Sequence, residues 1–161
     1  MSAIRLRGAA SGTTDVVAAA IAGDGVLSLP TGTGTLATEA SIRISEAITD
    51  LTISSNILTF DTAVSNVAFV ATAPGANFTL NVTNAPTTDG RAITVVAFIV
   101  QGATGFIPNV LQVAAVGQTI KWQGGTAPTP TSVAGKTDVF SFTLIRRSGT
   151  WNVLGSALLN F

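Results

Sequence analysis

Between Phe78 and Thr83 apolar and polar residues alternate one for one, with Phe78, Leu80 and Val82 on one parity and Thr79, Asn81 and Thr83 on the other. A period of two belongs to a strand with one buried face, and on a helix it would scatter the apolar residues around the axis. The run stops at N84-A85-P86-T87-T88-D89-G90, where Asp89-Gly90 is a turn pair. A second run, Ala92 to Val100, is apolar on both parities except at Thr94. Such a strand is covered from both sides: one cover is the domain's own second sheet, the other a packed loop or a neighbouring subunit.

The rest of the chain repeats this grammar. Ile120 and Trp122 oppose Thr119 and Lys121, and Asp138 to Arg147 pairs with Trp151 to Leu154 around S148-G149-T150, with Phe140, Phe142 and Leu144 facing inward. Gly124 to Gly135 is a Gly, Pro and Thr loop. Upstream, T31-G32-T33-G34-T35 is a flexible junction, followed by short pieces at Ile42/Ile44, Leu51/Ile53, Ile57 to Phe60 and Val67 to Val70. Thr49, Thr52 and the β-branched residues around them favour a hairpin over residues 42 to 53, with one amphipathic helix as the alternative. At the start, Ile4 and Leu6 alternate with Arg5 and Arg7, while Val16 to Ile21 is an extended segment or a single helical turn.

Turn signals roughly every 8 to 12 residues, with no fixed solenoid period, lead to an all-β expectation: an antiparallel two-sheet sandwich, jelly-roll-like, with an extended N-terminal arm. Residues 1–30 form the arm and 31–161 the sandwich, of which 76–161 carries the clearest pattern and 31–75 a weaker one.

Composition narrows the function. Of 161 residues, 47% are hydrophobic and only 10% charged, with eight basic and eight acidic side chains giving zero formal charge. This balance offers no electrostatic basis for nucleic-acid binding, and a surface so poor in charge favours a subunit that covers itself by assembling. Without Cys or His, thiol chemistry, imidazole bases and the usual zinc ligands are excluded. No apolar signal-peptide core opens the chain and no run approaches the roughly 20 residues of a membrane span, so no membrane insertion is expected.

The carboxylates are scattered. Glu46 and Asp50 would share a face only on a helix, Asp89 reads as a turn cap, and no D-x-D-x-D run suggests calcium. Gly32 to Gly34 and Gly102 to Gly105 lack the lysine of a phosphate loop. Trp122 and Trp151 read as core anchors before sugar-stacking platforms, and the sequons at Asn77 and Asn81 as incidental. No catalytic, cofactor or metal residues are therefore expected. Arg146 and Arg147 fall on opposite faces of a strand, either meeting acids across a subunit boundary or marking a charged edge.

The stretch from N77-F78-T79-L80-N81-V82-T83 through Q101-G102-A103-T104-G105, T119-I120-K121-W122-Q123-G124-G125, D138-V139-F140-S141-F142-T143-L144-I145-R146-R147 and W151-N152-V153-L154-G155 resembles the terminal domain of virion structural proteins from tailed phages of marine bacteria. I4-R5-L6-R7-G8, S11-G12 and V26-L27-S28-L29-P30 resemble the lead-in of phage fibre proteins. The likeness covers the first 30 residues and most of 76–161, and almost none of 31–75. It implies a β-rich, trimeric, non-enzymatic component of the particle surface.

The expected function is a capsid decoration or cement protein bound to other virion proteins, the major capsid protein first among them. A short tail fibre, or a host-binding or adaptor component contacting tail proteins or a surface receptor, is the alternative. The expected attachment residues are Ile4, Arg5, Leu6 and Arg7. The expected interface of the homotrimer comprises Val96, Phe98, Phe140, Phe142, Arg146 and Arg147. A recognition loop would be formed by Gly124, Gly125, Thr126, Pro128 and Pro130.

Overall fold

The computed structural model describes residues 3–7, 13–17 and 46–161. The chain divides into two compact units, Met1–Arg43 and Ile44–Phe161. In the first unit β1 (Ala3–Arg7) pairs antiparallel with β2 (Thr13–Val17), and Ile4 stands opposite Val16 and Arg5 opposite Asp15. The strand expected from the Ile4/Leu6 alternation is thus present, already paired within its own chain. The remaining residues of the expected arm, and Ile42 and Ile44, lie outside the described residues.

The second unit is all-β, with two mixed sheets. One sheet contains β3 (Ile48–Asp50), β5 (Val67–Val70), β7 (Arg91–Val100), β10 (Ile120–Trp122), β11 (Thr137–Arg147) and β12 (Thr150–Leu158) in the order β10-β12-β11-β7-β5-β3. The other holds β4 (Ile57–Asp61), β6 (Phe78–Thr83), β8 (Pro108–Val113) and β9 (Val116–Gln118) in the order β4-β6-β8-β9. Their inner faces contribute to one core. Leu58, Phe60, Leu80, Val82 and Leu111 from the smaller sheet and Val95, Ala97, Ile99, Phe140, Phe142 and Leu144 from the larger are all buried in it. The arrangement is consistent with a sandwich.

The expectation of antiparallel sheets is corrected. β3, β5 and β7 run parallel, as do β4, β6 and β8, and β10 is parallel to β12. From β3 to β8 each successive strand goes to the opposite sheet. Two crossovers return the chain to the first sheet pointing the same way, so its strands stack in parallel. Only afterwards does the chain meander, placing β11 antiparallel between β7 and β12 and closing the β8–β9 hairpin.

Several strands fall where their alternation puts them. Phe78, Leu80 and Val82 are buried while Thr79, Asn81 and Thr83 are half-buried, and Val95, Ala97 and Ile99 are buried while Val96, Phe98 and Val100 are half-buried on the opposite face. The expected hairpin over residues 42 to 53 does not form among the described residues. Only Ile48–Asp50 is a strand, it pairs with β5, and Leu51, whose amide still donates to the Phe69 carbonyl at 2.9 Å, and Ile53 pack on the core. The helical alternative is likewise not seen over residues 46 to 53. Among the described residues the tight turns Ser55-Asn56, Ala114-Ala115 and Ser148-Gly149 are left-handed at both positions. This backbone hand matches the twist of flanking strands.

Candidate functional site

At one end of the larger sheet a buried carboxylate organises the loops. Asp138, at the start of β11, is fully buried; its Oδ2 accepts from the Thr131 amide at 2.8 Å and from Gln101 Nε2 at 3.1 Å, and its Oδ1 accepts from the Asn160 amide at 3.0 Å. Gln101, also buried, uses the rest of its side-chain amide on Phe106, donating to the carbonyl at 2.9 Å and accepting from the amide at 3.0 Å. Its backbone bonds Gly135 and Lys136. Burying a carboxylate is costly unless donors replace its water, and here they come from the 124–135 loop, the 101–106 turn and the end of β12. The arrangement fixes the loops mechanically.

At the opposite end Asp89 accepts from the Gly149 amide at 3.0 and 3.1 Å with its two oxygens. The turn cap expected at Asp89 therefore closes the β11–β12 hairpin, 60 residues away in sequence, and not its own turn. Arg146 lies 3.7 Å from Asp89, donates its Nε to the Thr87 carbonyl at 2.9 Å, and stacks 5.2 Å from the centre of the Trp151 ring. Arg146 thus meets an acid within its own chain. Arg147 is exposed and is the last residue of β11, aligned with Thr150 of β12.

Asp61 is held below the usual carboxylate range, first by the Asn84 side-chain amide at 2.7 Å and then by the Ala63 backbone amide at 2.9 Å. The two sequon asparagines serve as caps as well: Asn77 accepts from the Ile107 amide and Asn81 from the Ala115 amide, both at 3.0 Å. Among the described residues no three acidic side chains converge in a way that could hold a metal ion.

The expected interface residues separate into two groups. Val96 and Phe98 lie on the outer face of the larger sheet and are half-buried. Phe140 and Phe142 are 0% exposed in the core between the sheets, so their side chains have no surface left for another copy. Parity explains the difference, because Phe140 aligns with Ala97 and Phe142 with Val95 on the inward face.

In the expected recognition loop Gly124, Gly125 and Thr126 are exposed, while Pro128 and Pro130 are half-buried. Trp122, Gln123, Thr126, Pro128, Ser156 and Ala157 line a hollow of about 160 Å³ beside it. Trp122 itself meets Phe142 edge to face, with centroids 5.5 Å apart, and packs against the core. Ile4, Arg5, Leu6 and Arg7 lie together in β1.

Sequence reasoning missed two features. Gln101 and Asp138 are 37 residues apart, and each reads locally as an ordinary polar residue at a strand end. The outer apolar face also gains Phe69, Leu158 and Phe161, whose places follow only from the parallel β5–β7 register and the closing bonds of the C-terminus. Comparison with protein-family models, with curated proteins and with solved structures finds no match.

Proposed function

We propose that the chain is a non-enzymatic structural subunit of a phage virion, a trimeric decoration protein that attaches to the particle through its N-terminal unit. The observation that carries this reading is the division of the chain into a small unit containing β1 and β2 and a separate two-sheet unit. One part is available for attachment and the other for the exposed body. Among the described residues β1 and β2 pair only with each other; a ribbon edge can add to a strand of a partner, and in the sequence Ile4 and Leu6 alternate with the charges of Arg5 and Arg7.

In the larger unit Asp61, Asp89 and Asp138 are engaged in closing turns and loops, which suits a scaffold. The second reading, a short tail fibre or host-binding component, draws on the exposed Gly124 to Thr126 tip and its adjoining hollow.

Electron microscopy of particles carrying a labelled subunit tests both. Symmetric copies distributed over the head support decoration, and a small set at the tail supports the fibre reading. A label that never co-purifies with particles would refute both.

A further inference from the structure

We infer that the outer face of the six-stranded sheet, centred on Phe98, is the surface through which copies of this chain bind one another. The inference rests on the reading of the chain as a trimeric subunit and names the surface that builds the trimer.

The register assembles this face row by row. Phe69, Phe98, Val139 and Leu158 stand side by side on β5, β7, β11 and β12, and Ile48, Val67 and Val96 form the adjacent row on β3, β5 and β7, which Ser141 and Ser156 continue on β11 and β12. Beyond Phe98, Val100 aligns with Thr137, which exchanges two backbone hydrogen bonds with Phe161 at 3.0 and 3.1 Å. Ile48 is 64% exposed, Leu158 63% and Phe161 64%, open positions for large apolar side chains, with Ile48 on β3 and Leu158 on β12 at the two sides of this face.

The face also has a boundary. Toward the other end of the same strands it turns polar, where the Thr94 and Thr143 hydroxyls meet at 3.0 Å and Lys121 donates to Asn152 at 2.9 Å. An apolar centre beside a polar margin is how protein interfaces are built.

Size and charge select another copy as the occupant. Five strands about 4.8 Å apart, over three rows of side chains, give a footprint of about 500 Å². In a trimer three such faces together remove about 1,500 Å² from water, above the lower bound of about 1,000 Å² for a specific interface. Asp50, at the β3 edge, is the sole charge in these rows, so a matching surface must be nearly uncharged too. A second copy supplies one, and at zero formal charge it approaches without net repulsion. In a trimer the three faces close around the axis with Phe98 near the middle of the column.

The test is sedimentation velocity of the full chain at micromolar concentration, wild type beside the double variant Ile48→Lys/Leu158→Lys and the single variant Phe98→Asp. The double variant changes positions already open in the single chain, so its far-UV circular dichroism should match wild type even if Phe98→Asp fails to fold. The wild type is expected to sediment as a trimer. In the double variant the concentration needed for half-assembly should rise by about a hundredfold or more, because two charges would have to be desolvated. A monomeric wild type overturns the inference. A trimer that withstands both lysines overturns this surface and leaves the trimeric reading standing, whereas a dimer that the lysines dissociate keeps the surface and overturns the threefold reading.

Discussion

Trp122 lies across Gly155. A Cβ at that glycine would stand 2.9 Å from Trp122 Cε3 and 2.8 Å from Ile120 Cγ2. The missing side chain lets the β10 edge strand press its two inward residues onto β12, which brings the Trp122 and Phe142 rings together edge to face. Gly155→Ala must push the ring or the strand outward. A loss of about 1 to 3 kcal/mol is expected, measured by chemical denaturation, together with a change in Trp122 fluorescence. An unchanged midpoint would show that β10 moves away freely.

Asp138 is expected to be the most sensitive acidic position in the larger unit. Asp138→Ala leaves the Thr131 and Asn160 amides and the Gln101 side chain without their acceptor, a cost of about 2 to 4 kcal/mol. Asp138→Asn retains one acceptor oxygen and places an NH₂ group against donors, so it should fall between alanine and wild type. Hydrogen exchange at Thr131 and Asn160 should quicken in both variants. Protection equal to wild type in the alanine variant would mean the loop is held elsewhere.

What the sequence made legible were strands and parities. Phe78 to Val82 alternates because one face of β6 is buried, and Ala92 to Val100 is apolar except at Thr94 because both faces of β7 carry apolar side chains. Strand direction was not legible, since a period of two is the same in parallel and antiparallel pairs. The winding from β3 to β8 left no repeat to detect: Val67 aligns with Ile48 and Val96, steps of 19 and 29 residues, while Thr79 aligns with Ile57 and Val110, steps of 22 and 31.

The candidate surface divides the same way. That β7 has two apolar faces is visible in its composition, but assigning Val95 inward and Val96 outward depends on which side the β4-β6-β8 sheet occupies. Phe140 and Phe142 read from sequence as interface residues because a heavy aromatic face looks alike whether a second sheet or a second subunit covers it.

The acid response of Asp61 has a defined direction. Folding lowers its pKa through Asn84 and the Ala63 amide, so the ionised form is favoured in the folded state. Its contribution is present above the unfolded value near 3.8 and disappears as pH falls through the lower folded value. A carboxyl-detected NMR titration should therefore place the Asp61 midpoint below 3.8, and Asn84→Ala should move it upward. A midpoint that does not respond to Asn84→Ala would assign the shift to the backbone amide alone.

The Ala114-Ala115 turn offers a stabilising change. Both residues are left-handed, with φ of 49° and 65°, a region that costs an ordinary side chain roughly 1 to 2 kcal/mol per residue. The turn is held there because the Ala114 amide donates to the Val82 carbonyl at 2.8 Å and the Ala115 amide to Asn81 Oδ1 at 3.0 Å. Both bonds use backbone donors, so replacing the side chains leaves them intact. Asn-Gly is the pair this turn prefers, and Ala114→Asn/Ala115→Gly should relieve the strain, offset in part by the extra freedom of glycine in the unfolded chain. The expected net gain is about 0.5 to 1.5 kcal/mol, seen as a higher denaturation midpoint with an unchanged slope. Asn81→Ala should cost stability in both backgrounds, because it removes the acceptor at the Ala115 amide. If the Asn-Gly variant is less stable than wild type, the alanine methyl groups must hold the turn through contacts that outweigh its strain.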